Sequence, residues 1–467
     1  MRRFALLLGV LLVVGFAGTA AAAEFKLSGD FNNRFMLYTD QGTMFSASET
    51  IRSPQRVINR DGIDESWGEV KYRLVVEAST NDGKVKGVYA IELGALRFGN
   101  GAGIGGSTRT GGGDFSGDGI NIETRFAYTD FQLPGVASKA RFQIGLLPFK
   151  VNSFLWDETA MGVQFKGTIG PTDLTLAWMR GRESFNNSPD DDLFEDLDAY
   201  LARVDFNIAK DIKAGLFGLY TRRNPGNEAD NAVFNPANQY LVKLFPNVEF
   251  DIYNLGTDGS ATFGNFFVNW DLIYQGGTVT DNTARERDVK AFLAHADVGV
   301  NLGKLRLTYT GWYASGDDDP AATSDVENFM AVDVDRFDSI IFFEGGYTDD
   351  NYFTEAPYIL DRGLIFNKLA LDYQASDKLK VGAAVLYLMT AEDIRYTDDT
   401  LVARNEDKLG TEIDAYLSYK LYKDVEFAIN AGYLIADDAM DFFDATGQRN
   451  GDAEDVFRST ARVRYIF

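Results

Sequence analysis

The chain has 467 residues, with 45 Lys and Arg against 69 Asp and Glu, one His, no Cys and a formal net charge of −24. Without Cys there is no disulfide scaffold, thiolate metal site or cysteine nucleophile, and one His cannot build a multi-histidine metal centre. So acidic a chain lacks the basic face that phosphate attraction requires, which excludes nucleic acid as a partner, while an aromatic content of 13% separates it from disordered acidic proteins.

At the N-terminus, Arg2 and Arg3 precede an apolar stretch, Phe4 to Phe16, and Ala21-Ala22-Ala23 supplies an A-x-A cleavage pattern before Glu24. Residues 1–23 therefore read as a secretory signal peptide and 24–467 as the mature domain. No later segment offers about 18 consecutive apolar residues, so no helical membrane span is expected.

From residue 24 onward the hydrophobic period is two. In the first segment Phe25, Leu27, Phe31, Phe35 and Leu37 alternate with Lys26, Asp30 and Arg34. In the last, Phe457, Ser459, Ala461, Val463, Tyr465 and Phe467 alternate with Arg458, Thr460, Arg462 and Arg464. The pattern predicts eighteen strands. They are 25–38, 66–79, 84–96, 120–132, 140–147, 161–167, 173–181, 198–208, 212–222, 247–256, 263–275, 288–301, 305–314, 363–375, 378–390, 409–420, 424–435 and 456–467.

The connections differ in length. Asn81-Asp82-Gly83, Asn301-Leu302-Gly303-Lys304, Ser376-Asp377 and Tyr422-Lys423-Asp424 are short turns. Between them lie long polar segments, 39–63, 97–119, 182–197, 223–246, 315–361, 391–408 and 436–455. An even number of strands with short turns at one end and long loops at the other is the pattern of an all-β, transmembrane, antiparallel up-and-down β-barrel. Eighteen strands is the favoured count and sixteen the alternative. In lipid every backbone N–H and C=O must be paired, so a chain without spanning helices crosses only as a closed sheet. The alternate, charged positions then face an aqueous lumen, and a barrel of this size leaves a channel. Periplasmic turns, extracellular loops and a place in the bacterial outer membrane are the corresponding expectations.

Lys26, Arg34, Lys71, Arg73, Arg125, Arg458, Arg462 and Arg464 lie on the first and last strands, which meet when a barrel closes, and are expected to form a basic wall along the lumen. Loop 315–361 holds thirteen carboxylates and a single Arg336, and reads as a solvated acidic rim with loose affinity for divalent cations. The Gly-rich stretch 99–119 lacks the Gly-Lys-Ser/Thr ending of a phosphate loop and reads as an external loop. His295 and Asp297 share a strand face, but no serine partner accompanies them, and the reading is a lumen histidine rather than a catalytic base. No cofactor and no enzymatic activity are expected.

The terminal strand ending at Tyr465 and Phe467 resembles the signature read by the outer-membrane insertion machinery. The whole mature chain resembles bacterial porins. Ile144-Gly145-Leu146-Leu147-Pro148-Phe149, Leu409-Gly410-Thr411-Glu412-Ile413-Asp414 and the aromatic C-terminus are similar to the homotrimeric porin family of sulfate-reducing bacteria. That resemblance implies passive diffusion of small hydrophilic solutes, a trimer and no cofactor. The resemblance to general porins implies an inward-folded loop after the fifth strand, here 148–160, whose acids Asp157 and Glu158 are the candidate constriction residues facing the bases. A substrate-specific channel for anions, sugars or organic acids is the alternative, and a structural or adhesive barrel is the alternative of another class. Outer-membrane lipid and lipopolysaccharide, bridged to the loop acids by divalent cations, are the further expected partners.

Overall fold

The computed structural model describes residues 23–41, 63–99, 122–135, 140–182, 197–223, 249–280, 286–318, 325–334, 336, 338–342, 358–359, 362–397, 402–443 and 449–467. All but the last residue of the expected signal peptide 1–23, the Gly-rich stretch from 100 onward and the acidic clusters at 190–192, 349–350 and 398–399 lie outside the described residues.

The period-two segments form eighteen barrel strands. In chain order they are β1 (Glu24–Gln41), β2 (Ile63–Ser79), β3 (Val85–Arg97), β4 (Glu123–Gln132), β5 (Arg141–Asn152), β6 (Trp156–Ile169), β7 (Thr172–Arg182), β8 (Leu197–Ala209) and β9 (Ile212–Arg223). Next come β10 (Glu249–Phe263), β11 (Phe266–Thr280), β12 (Glu286–Leu302), β13 (Leu305–Ala314), β14 (Leu364–Gln374), β15 (Leu379–Thr397), β16 (Ala403–Tyr422), β17 (Val425–Ala436) and β18 (Val456–Ile466). Each pairs antiparallel with its sequence neighbours, and β1 pairs with β18, so the sheet closes and has no edge. A two-stranded ladder, Phe442–Phe443 with Arg449–Gly451, sits in the connection before β18.

Which face a residue occupies follows from its parity. On β10, Phe263 points outward and is 61% exposed, whereas Phe250, on the alternate set, is 1% exposed inside. Phe25, Leu27, Phe35, Leu37, Leu255, Leu272, Val298, Leu369 and Val385 join Phe263 on the exterior. An apolar exterior of this extent suits acyl chains, not water. Among the described residues no helix is long and apolar enough to cross a membrane.

Closure runs to the last residue. The Gly29 N–H donates to the Phe467 carbonyl at 2.9 Å, and the Phe467 N–H donates back to Gly29 at 3.1 Å. The Phe467 ring stacks on Tyr465 and meets Phe31 edge-on. A Cβ on Gly29 would lie 2.6 Å from that ring, so a larger residue there has to push the ring aside.

Three boundaries differ from expectation. Residues 257–262 belong to β10, because a two-residue turn, Gly264 (φ +61°) and Asn265, suffices to reach β11. β15 and β16 run into the expected loop 391–408 and leave only 398–402 between them. The segment 148–160 is no loop. β5 continues to Asn152 and β6 begins at Trp156, a tight hairpin. Its alternation was hard to read because the apolar residues Leu147, Phe149 and Val151 occupy the inner face there, reversing the polarity of the strands below.

Gly29→Val should push the Phe467 ring out of its place and destabilise the seam by about 1–3 kcal/mol, the usual range for overpacking. A lowered urea midpoint of the folded barrel in lipid vesicles measures this; an unchanged midpoint would show that the seam does not depend on the Phe467 ring.

Candidate functional site

The eight expected bases lie on β18, β1, β2 and β4, but they do not form a bare basic wall. Carboxylates from the same inner faces interleave with them. Arg34 and Glu69 are register partners, 2.5 Å apart, with both side chains fully buried. Arg34 also faces Arg462 across the β1–β18 ladder, and Arg462 in turn holds Glu426 at 2.5 Å. Arg464 forks onto Asp30 with both nitrogens, at 2.8 and 2.5 Å. Lys71, Arg73 and Arg125 converge on Glu92 at 3.2, 2.5 and 2.6 Å. Lys26 is exposed beside the turn end, opposite Glu77 in register. Like charges directly opposite on neighbouring strands are destabilising. These acids relieve that repulsion and leave the wall with a smaller positive excess.

Toward the long-loop end of the same wall, Tyr38 and Trp67 stack with ring centroids 5.0 Å apart. The Arg458 guanidinium lies 4.8 Å from the Tyr38 centroid and Arg97 lies 3.8 Å from that of Trp67. The aromatic faces are thus taken up by cations.

Half the circumference away, β8 to β13 carry the opposite polarity. Asp205, Asp258, Asp271 and Asp297 stand on four strands on the lumen face. Arg203 binds Asp258 through both terminal nitrogens, at 2.6 and 2.7 Å, and Asp205 at 2.6 and 3.0 Å. His295 Nδ1 faces Asp271 at 2.7 Å and Nε2 faces Asp297 at 3.2 Å. Thr310 and Asn269 also donate to Asp297, at 2.6 and 3.1 Å. Both imidazole nitrogens are engaged by carboxylates, so neither is available to activate a nucleophile.

Two chain segments enter the lumen between these walls. The first is the tip of the β5–β6 hairpin, Val151 to Trp156. Arg203 Nη1 donates to the Val151 carbonyl at 3.1 Å, and the Asn152 amide reaches Asp258 and Asp271. The Phe154 ring packs on His295, with centroids 4.8 Å apart, and on Trp312. The candidate constriction acids flank this tip. Asp157 pairs with Lys150 across its own hairpin, and Glu158, register partner of Phe149, is exposed. They sit on the rising strands behind the tip and on opposite faces: Glu158 shares the inner face of Phe149, Asp157 shares the outer face of Lys150, and the tip itself presents mainly apolar residues to the opposite wall.

The second segment comes from the expected acidic rim, and corrects it. Val326, Phe329, Met330, Ala331, Val332, Val334, Ile340, Ile341 and Phe342 are buried inside the barrel. Met330 exchanges two hydrogen bonds with the Gln275 side chain of β11, at 3.0 and 3.1 Å. Val332 N donates to Leu155 O at 2.9 Å and Asp157 N donates to Asp333 O at 3.1 Å, a parallel bridge to the hairpin tip. The N–H groups of Ile340, Ile341 and Phe342 then all donate to the fully buried Glu412 carboxylate of β16, at 2.8, 2.8 and 3.2 Å. The segment is a strap from β11 to β16, interlocked with the hairpin. Its sequence signal was present in the apolar clusters 329–332 and 340–343, which a solvated loop does not need.

A closed antiparallel barrel with an apolar exterior, a charged interior and two segments folded into its lumen has the porin architecture. Solved structures share the fold. The outer membrane protein OprD of Pseudomonas aeruginosa is 13% identical with a TM-score of 0.52, covering 97% of this chain and 96% of its own. A BenF-like porin from Pseudomonas fluorescens gives 12% identity, a TM-score of 0.53 and coverage of 95% and 98%. OccK5 (OpdH) of Pseudomonas aeruginosa gives 11%, 0.51, 95% and 98%. No family model matches the sequence, and no curated protein matches it.

Glu69→Ala removes the carboxylate from beside a fully buried guanidinium and should cost about 3–5 kcal/mol, as breaking a buried ion pair does. Lys84→Ala, which removes only the solvent-screened Lys84–Asp82 turn pair, should leave stability near wild type. Urea titration of both variants in vesicles checks the contrast; equal midpoints would mean that the Arg34–Glu69 pair contributes no more than a surface pair.

Proposed function

We propose that this chain is an outer-membrane porin, a water-filled channel for passive diffusion of ions and small hydrophilic solutes. The observation that carries this reading is the division of charge inside a closed eighteen-stranded barrel. Ionised side chains line two opposite walls of the interior while the exterior is apolar. Side chains of that kind need water beside them, and a transverse field between a basic and an acidic wall orders water and sorts solutes by charge and dipole. The fold shared with OprD and the BenF-like porin supports the same reading.

A substrate-specific channel is the second reading, favoured by the interlocked hairpin and strap, which narrow the lumen. The finer likeness, to the homotrimeric porins of sulfate-reducing bacteria, rests on the sequence phrases 144–149 and 409–414. A homotrimer, a signal peptide over residues 1–23, insertion through Tyr465 and Phe467, and cation-bridged contact with lipopolysaccharide complete the proposal.

Purified protein in planar bilayers should give stepwise conductance, and liposome swelling should admit neutral sugars in order of size. A sharp preference unrelated to size would replace the general porin with the specific channel, and absence of conductance would remove both. Lys71→Gln with Arg73→Gln lowers the positive excess of the basic wall, so the reversal potential in a salt gradient should shift toward cation selectivity; no shift would show that this wall lies off the permeation path.

A further inference from the structure

Asp258 and Asp271 are register partners on β10 and β11, so two carboxylates stand directly opposite each other on the lumen face. Such a pair is destabilising unless something lies between its members. Arg203 occupies the far side of Asp258, and His295 the far side of Asp271. Between them sits one amide that belongs to neither wall strand. Asn152 Nδ2, on the hairpin tip, is 3.2 Å from Asp258 Oδ2 and 2.5 Å from Asp271 Oδ1. The other end of the same side chain, Oδ1, accepts the Phe154 N–H at 2.9 Å and shapes the turn. Asn152 is 4% exposed.

We propose that Asn152 is a positioning residue of the constriction, acting beside the Arg203–Val151 and Val332–Leu155 bonds that also hold the tip, and that the free cross-section of the lumen depends on its amide. The inference rests on the channel reading above. The apolar contacts of Phe154 and Leu155 favour burial, but burial is non-directional and does not select one placement of the tip. Hydrogen bonds from one NH2 group to two wall carboxylates do select one, because their distances and angles are narrow. The like-charged pair makes the docked position conditional. With an amide between them the aspartates hold the hairpin; with a third carboxylate they repel it.

The test uses the full chain, whose lack of Cys gives a clean background for engineered thiols. Asn152→Asp should raise single-channel conductance about twofold or more as the tip leaves the lumen, and Asn152→Ala should raise it by less. The triple substitution Asn152→Asp, Asp258→Asn and Asp271→Asn inverts the donors and acceptors and should restore wild-type conductance. A residue needed only for folding would not be rescued by that inversion. Separately, a Trp156→Cys/Asp333→Cys pair at the hairpin–strap bridge should crosslink in the native background and crosslink poorly with Asn152→Asp. Wild-type conductance in Asn152→Asp, or no rescue by the triple variant, overturns the proposal. Crosslinking reads the placement of the tip without any current, so loss of the channel reading and loss of the latch are told apart.

Discussion

Backbone pairing in a closed ladder is the constraint on which the rest of this structure depends. A sheet with a free edge leaves a row of N–H and C=O groups without partners, and in a lipid environment nothing replaces them. Pairing β1 with β18 removes the edge. It also separates inside from outside, after which every side chain is assigned to one or the other by parity alone. The seam shows how tightly closure is specified: the last residue still exchanges two backbone bonds with Gly29.

Inside, the problem is electrostatic. Charged residues on eighteen converging strands meet like neighbours unless acids and bases interleave. Glu92 among three cations and Arg203 between two aspartates solve the same problem with opposite sign. The two solutions sit on opposite walls, so pairing that stabilises each wall also leaves a polarity across the lumen. The net charge of the chain says little about this, because it sums over residues that never share an environment.

The hairpin and strap change the character of the upper lumen. Where they pack, inner-face residues such as Phe250, Ile252, Leu386 and Leu388 are apolar and buried. A β-strand with apolar residues on both faces marks the level at which the interior is filled by chain. Alternation between apolar-out and polar-in fades where both sides are apolar, which hides the upper ends of β5 and β6 in the sequence. The strap was concealed for a different reason. Its thirteen-carboxylate setting dominates its composition, while the residues that anchor it are a few apolar side chains and three backbone N–H groups with no side-chain signature.

Strand number, strand face, the closing partners and the presence of bases on the first and last strands were legible in the sequence, because alternation is local and survives without knowledge of partners. Pairing was not. Arg34 with Glu69, Asn152 with Asp271 and Ile340 with Glu412 are separated by tens to more than a hundred residues, and each depends on a register or a fold-back that no local pattern fixes. Asp157 and Glu158 had the right chemistry for a constriction and were placed within a few residues of it. Which of the two acids faced the lumen was decided only when β5 and β6 paired, which put Glu158 on the inner face with Phe149 and Asp157 on the outer face with Lys150, since neighbouring residues on a strand point to opposite faces.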